Sequence, residues 1–130
     1  MKEIKIRELS IGDWVRVDDF DKVLIKRVSA IDGTRNQIGI IKNNRSSIYW
    51  YCDDEIEPIP LTPEILEKNG ISKTYESDEY AVYKGEGFNV TEYYTELWEF
   101  EKPRNRLMIR NVQQLHHALR LAGVEKEIEV

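Results

Sequence analysis

The sequence predicts an α+β protein: a small β-barrel half over residues 1–60, then an antiparallel sheet packed with a C-terminal helix over residues 61–130, the halves packed as one unit. Three observations predict it. Residues 14–52 carry four short runs rich in Val, Ile, Tyr and Trp, separated by turns bearing Asp, Asn or Gly, the pattern of a small all-β unit. Residues 79–110 repeat that alternation. Only Thr62-Pro63-Glu64 and Asn111-Val112 read as helix starts. The chain has 130 residues, 41% hydrophobic and 33% charged, which is a globular composition and excludes full-length disorder.

The elements follow in order. Leu9-Ser10-Ile11-Gly12-Asp13 reads as a turn, and Trp14-Val15-Arg16-Val17 opens the first strand. Asp18-Asp19-Phe20-Asp21 is a polar turn, and Lys22 to Ile31 is expected as one strand on its β-branched content. Asp32-Gly33 is a hairpin signal. Ile38 to Ile41 forms the third strand, Asn43 to Ser46 the next turn, and Ser47 to Cys52 the fourth strand. Glu55 to Leu61 is expected as an extended linker, because Pro58 and Pro60 remove backbone donors. A helix at 63–69 follows, with Thr62 as cap, Pro63 at its first position and Gly70 closing it.

In the second half, Glu79–Lys84 and Phe88–Tyr93 flank Gly85-Glu86-Gly87 as a hairpin. Thr95 to Glu101 places Trp98 and Phe100 on one face, and Arg106 to Arg110 returns after a turn at Lys102-Pro103-Arg104-Asn105, with Leu107 and Ile109 together. Asn111 caps a helix over 112–122, whose Val112, Leu115, Leu119 and Ala122 form an apolar stripe expected to pack on the Trp98/Phe100 face. Val124 to Val130 is expected as an edge strand.

Charge is uneven along the chain. The total is −5, which excludes a globally basic nucleic-acid coat. Residues 1–50 hold ten basic and seven acidic side chains, residues 51–101 three and fourteen, residues 102–130 six and three, so a −11 middle lies between two +3 flanks. The opening Met1 to Arg7 mixes charged and apolar residues and has no signal-peptide core, and no run approaches a membrane span. A cytoplasmic location and no membrane association are therefore expected. The single cysteine, Cys52, excludes an internal disulfide and a multi-cysteine zinc site.

Candidate chemistry is sparse. His116 and His117 are adjacent, so on a helix they point about 100° apart and cannot chelate together as an i, i+4 pair does. Cys52 alternates with Ile48 and Trp50 and reads as a small core residue. Gly85-Glu86-Gly87 lacks the following helix that a phosphate cradle needs. Asp18, Asp19 and Asp21, or Asp53, Asp54 and Glu55, offer carboxylates to a cation without the spacing of an EF-hand. No catalytic residue, cofactor or metal is assigned on these grounds. Two surface constellations remain. Tyr75, Tyr80, Tyr83, Tyr93 and Tyr94 fall in the acidic middle and form a candidate protein interface. Lys102, Arg104, Arg106 and Arg110 form a candidate nucleic-acid patch, with Tyr49, Trp50 and Tyr51 as stacking neighbours.

Two resemblances add to this reading. The Gly12-Asp13 turn running into Trp14-Val15-Arg16-Val17 resembles the first strand of SH3-like barrels, so the N-terminal half is expected as an SH3-like small β-barrel. Three segments, Glu8 to Val15, Ile56 to Leu66 and Asn111 to Leu119 with Gly123 after it, resemble a family of small uncharacterised proteins of gut bacteria and their prophages. That family resemblance implies an intracellular accessory protein and carries no catalytic residues with it. The function expected is a non-catalytic protein-interaction module with a protein partner, or with a second copy as a homodimer. The alternatives are a nucleic-acid-binding adaptor on the arginine patch, disfavoured by the net charge, and an enzyme whose site the sequence does not reveal.

Overall fold

A computed structural model describes residues 5–19, 22–41, 47–95, 97–103 and 105–130. The architecture is α+β, with eleven strands, all paired antiparallel, and two α-helices among the described residues. The chain divides into two units between Ile59 and Pro60.

In the first unit a turn sets the starting point. The buried Asp13 carboxylate accepts the Ser10 amide at 2.8 Å, and Gly12 adopts φ +95°, a conformation that favours glycine. Strands β1 (Trp14–Asp19) and β2 (Lys22–Arg27) then pair in register from Trp14↔Arg27 to Asp19↔Lys22. Asp18 and Asp19 thus extend the strand rather than belonging to the turn, and residues 20 and 21 lie outside the described residues. The single strand expected over 22–31 is broken. Val28 donates to the Asp13 carbonyl at 2.8 Å, while Ser29 donates to the Gly39 carbonyl at 2.8 Å. The chain therefore leaves the β1 pairing and enters a second sheet, β3 (Ala30–Asp32), β4 (Gln37–Ile41) and β5 (Ile48–Cys52), in the order β3-β4-β5. Asp32 Oδ1 accepts the amides of Thr34 and Arg35, and Asn36 takes φ +55°, an Asx-type turn that links β3 to β4. The turn expected at Asn43 to Ser46 lies outside the described residues.

After a 3-10 turn at Asp53–Glu55, β6 (Ile56–Glu57) returns to pair with β1, Val17↔Ile56 and Arg16↔Glu57. Part of the expected linker is thus a strand, ending where Pro58 can no longer donate to a ladder. The first sheet reads β2-β1-β6. Val15, Val17 and Ile56 from it join Ile38, Ile40 and Tyr51 from the second sheet, with Ile6, Leu9 and Val28, in one buried cluster.

The second unit opens with α1 (Pro63–Lys68). Thr62 Oγ1 accepts the Ile65 amide at 3.2 Å, Gly70 takes φ +77°, and Ile71 donates back to the Leu66 carbonyl at 2.9 Å, a Schellman-type closure. A five-stranded sheet follows, ordered β11-β10-β9-β8-β7: β7 (Ser72–Glu76), β8 (Tyr80–Lys84), β9 (Asn89–Tyr93), β10 (Leu97–Lys102) and β11 (Asn105–Ile109). Every residue of β7 is exposed, so it lacks the inward apolar alternation by which a strand is read from sequence. The register aligns Ala81, Tyr83, Val90, Trp98, Phe100 and Ile109 on one face, and all are buried. Leu107 shares that face by register but is 42% exposed. Phe88 stacks on Phe100 at 5.5 Å, and Tyr83 lies 6.3 Å from Trp98.

Helix α2 (Val112–Leu121) is capped by Asn111, whose Oδ1 accepts the Gln114 amide at 2.9 Å. It buries Val112, Gln113, Leu115, Ala118 and Leu119. Ala118, Leu121 and Ala122 share a small hollow with Phe100 and Leu107, which sets the helix against the Trp98/Phe100 face as its stripe predicts. The expected edge strand over 124–130 does not form. Asn69 takes the place of a neighbouring strand: its Nδ2 donates to the Glu129 carbonyl at 2.7 Å and its Oδ1 accepts the Glu129 amide at 2.7 Å. One side-chain amide thereby copies one rung of a ladder, and Ile128 is buried beside it.

Candidate functional site

Because side chains alternate across a strand, the face of the five-stranded sheet opposite Trp98 and Phe100 carries its own rows. Tyr80↔Tyr93↔Leu97 lie directly opposite one another on β8, β9 and β10, and Tyr75 on β7 joins the end of that row diagonally. Ring centroids are 5.5 Å apart for Tyr75–Tyr80 and 6.0 Å for Tyr80–Tyr93, tilted by 35° and 44°. Tyr75 is 52% exposed and Leu97 50%. The next row is Tyr75-side Val82, then Thr91, Glu99 and Met108, and beyond it come Lys84, Asn89, Glu101 and Arg106. Tyr93 donates its hydroxyl to Glu99 Oε1 at 3.3 Å, and Arg106 pairs with Glu101 at 2.8 Å. Burial and then the neighbouring Glu99 raise the Tyr93 phenol above its ordinary pKa.

The candidate tyrosine interface therefore divides. Tyr75, Tyr80 and Tyr93 share the open face. Tyr83 is 1% exposed and belongs to the core beside Trp98. Tyr94, beyond the end of β9, is exposed, and its amide donates to the Glu79 carbonyl at 3.2 Å. Desolvation and then the Glu76 carboxylate raise the Tyr94 phenol, with Lys73 opposing and Glu92 and Asp78 adding to the rise. Lys73 itself holds Glu76 at 2.7 Å. Leu97 and Met108 join the tyrosines on this face through the register of β9, β10 and β11, which the sequence of one strand does not contain.

The cationic patch also divides. Lys102 and Arg106 are on strands β10 and β11 with opposite parity, so they face opposite sides of the hairpin. Lys102 Nζ donates to the Ala122 carbonyl at 2.5 Å, at the C-terminus of α2, where a cation complements the helix dipole. Arg110 lies past the far end of β11, where its amide donates to Gln114 Oε1 at 2.7 Å. Arg104 lies outside the described residues. The aromatic neighbours proposed for stacking separate as well: Tyr51 is buried, while Trp50 and Tyr49 are exposed on opposite faces of β5. Trp50 lies over Gly39, where an added Cβ would meet Ile48 Cγ2 at 2.5 Å and the indole at 3.3 Å.

The remaining candidates sit at the end of β5 and in the turn after it, on α2, and in the turn between β8 and β9. Asp53 accepts from Asn36 Nδ2 at 3.3 Å, and Glu55 Oε1 accepts the Cys52 amide at 2.9 Å. Cys52, Asp54 and Glu55 bring potential ligand atoms within 4.8 Å of one another, but Glu55 is engaged in capping its own turn. The rings of His116 and His117 are 6.3 Å apart and tilted by 42°, and His116 lines an open cleft with Arg120 and residues 123–127. Gly85-Glu86-Gly87 is the turn between β8 and β9, closed by the Gly85 amide on the Phe88 carbonyl at 3.0 Å. Glu92, on the helix-covered face, has its carboxyl raised by burial, with Lys73 opposing and Glu64 adding to the rise.

No protein-family model, curated protein or solved structure matches the chain. Among the described residues, no helix is long and apolar enough to cross a membrane.

Proposed function

We propose that the protein is a non-catalytic protein-interaction module that engages its partner through the open face of the five-stranded sheet. The observation that carries the reading is the row Tyr75–Tyr80–Tyr93–Leu97, half of whose members are at least half exposed although the row runs across four strands. Aromatic side chains offer large contact area with few rotatable bonds, which is why they anchor interfaces. We further read the N-terminal unit as an SH3-like barrel. Support comes from its strand order, β2-β1-β6 with β3-β4-β5, from the crossing between sheets at Val28–Ser29, and from the 3-10 turn that precedes β6. We also read it as a cytoplasmic accessory component, a reading supported by the resemblance of Glu8 to Val15, Ile56 to Leu66 and Asn111 to Leu119 to proteins of gut bacteria and their prophages.

The test is affinity capture with the full chain from the native host, quantified by mass spectrometry against a Tyr75→Ala/Tyr80→Ala variant. A partner retained by the wild type and lost several-fold by the variant is the expected result. A partner set that the double substitution leaves unchanged overturns the reading.

A further inference from the structure

We propose that β11 is the pairing edge of a homodimer, in which two copies of the chain align β11 antiparallel about a two-fold axis and join their five-stranded sheets into one. This edge is distinct from the tyrosine row, and its pairing does not depend on what that row binds.

The backbone of β11 is open to a further strand. Among the described residues no strand lies beyond it in the sheet, and four of its five residues are exposed. Lys102↔Asn105 closes a loop of two residues, and the pair beside such a loop exchanges its hydrogen bonds within the hairpin. Alternation then turns the backbone groups of Asn105, Leu107 and Ile109 toward β10, and those of Arg106 and Met108 away from it. The Arg110 amide, next in the outward series, donates to Gln114 Oε1 at 2.7 Å. The opposite edge of the sheet is guarded: β7 carries Lys73 and a register shift between Lys73 and Tyr75, both of which discourage edge pairing. Strand β11 has no proline and pairs with β10 without a register shift.

The side chains call for a strand alongside. Leu107 lies on the helix-covered face yet is 42% exposed, and Leu121 at the end of α2 is 82% exposed. They line a hollow of about 210 Å³ with Phe100, Ala118 and Ala122. Met108, on the other face of β11, is 55% exposed. A helix or loop docked on one face leaves the other apolar side chain in water, whereas a strand laid beside β11 covers both.

A second copy of β11 fits in one register. Registers that keep like faces together centre on Arg106, Leu107 or Met108. Centring on Arg106 sets two guanidinium groups directly opposite, which is destabilising. Centring on Met108 sets Arg106 against Arg110, whose amide Gln114 already holds. Centring on Leu107 avoids both. Arg106 and Met108 of the two copies then exchange their outward hydrogen bonds, and Arg106 keeps its Glu101 partner at 2.8 Å. The two Leu107 residues meet as a non-hydrogen-bonded pair, where Cα atoms approach to about 4.5 Å and side chains are closest. The contact is isologous, so it closes on two copies. Mutual burial of Arg106, Leu107, Met108 and Leu121 removes on the order of 1,000 Å² in total, the low end of specific interfaces and suited to a micromolar dimer.

Sedimentation velocity on the full chain, from about 1 to 100 μM, brackets such an equilibrium. The expected result is a shift with concentration to a species of twice the 15.4 kDa chain mass. Leu107→Lys sets two ammonium groups at the axis, and Met108→Pro removes an outward amide without touching the β10 ladder. Each should weaken association at least about tenfold, with the fold checked by circular dichroism; Leu107 is partly exposed, so its variant decides if the proline variant unfolds. Tyr75→Ala/Tyr80→Ala should leave association unchanged. In a Cys52→Ser background, Leu107→Cys should form an intermolecular disulfide on mild oxidation, since a Cα separation of about 4.5 Å is within disulfide reach, and Arg106→Cys should not. A chain that stays monomeric throughout, a dimer that survives Leu107→Lys, or cross-linking by Arg106→Cys in preference to Leu107→Cys overturns the proposal. A dimer lost in Tyr75→Ala/Tyr80→Ala and kept in Leu107→Lys puts the contact on the open face and overturns it as well.

Discussion

Asn69 offers a sharp test of how the second unit holds its C-terminus. It is 8% exposed, at the end of α1, and its side chain makes three hydrogen bonds of 2.7 Å: to the Ile65 carbonyl, to the Glu129 carbonyl, and from the Glu129 amide. Asn69→Ala removes all three. The Ile65 carbonyl keeps the Asn69 backbone amide, at 3.2 Å, so that loss weighs little. The two bonds to Glu129 contribute about 1 kcal/mol each, giving a destabilisation of ~2 kcal/mol if the 124–130 segment stays seated. If the segment lifts, Ile128, 2% exposed, also loses its burial, and the total rises by about 1.5–3 kcal/mol. Urea unfolding followed by circular dichroism gives the magnitude, and hydrogen exchange at the Glu129 amide distinguishes the two cases. A variant within about 0.5 kcal/mol of wild type, with the Glu129 amide equally protected, would refute the idea that Asn69 serves as the segment's ladder partner; that bound is half the usual contribution of one hydrogen bond.

Three further outcomes follow from the same geometry. Glu92 has a raised native pKa, so between the ordinary glutamate value of 4.5 and that raised value the native state binds the extra proton; stability falls as pH climbs through this window, and Glu92→Gln should flatten the slope and raise the urea midpoint at pH 7. Gly39→Ala forces a Cβ to within 2.5 Å of Ile48 Cγ2 and 3.3 Å of Trp50, which should cost about 1–3 kcal/mol and shift the tryptophan emission, whereas an unchanged melt and spectrum would show that Ile48 yields freely. Tyr83→Ala should destabilise by about 3–5 kcal/mol as a core truncation, while Tyr75→Ala, at an exposed edge, should stay within about 0.5 kcal/mol of wild type; comparable losses for the two in parallel thermal melts would contradict the face assignment.

Both helices were legible because their ends are written locally. Thr62 and Asn111 cap with their own side chains, and Gly70 closes α1 with a positive φ. The Gly85–Gly87 hairpin and the Trp98/Phe100 alternation were legible for the same reason. The corner at Val28–Ser29 was not, since the sequence there reads as continuous strand and only the carbonyls of Asp13 and Gly39 decide where its amides go. Strand β7 is not legible in the sequence because both of its faces are exposed. The alternation over 124–130 reads as a strand, whereas in the structure the backbone of Glu129 pairs with the Asn69 side chain.

The candidate site divides along the same line. Composition and periodicity alone determined an α+β chain with helices near 63–69 and 112–122 and an acidic middle rich in tyrosine. Tertiary structure alone decided that Tyr83 is core while Tyr75, Tyr80 and Tyr93 form one open row, and that Lys102 and Arg106 face opposite sides of their hairpin. The physical reason is that caps and turns are satisfied by residues three or four positions away, whereas the face a strand residue presents depends on the register of pairings and on which face of the sheet the helices cover.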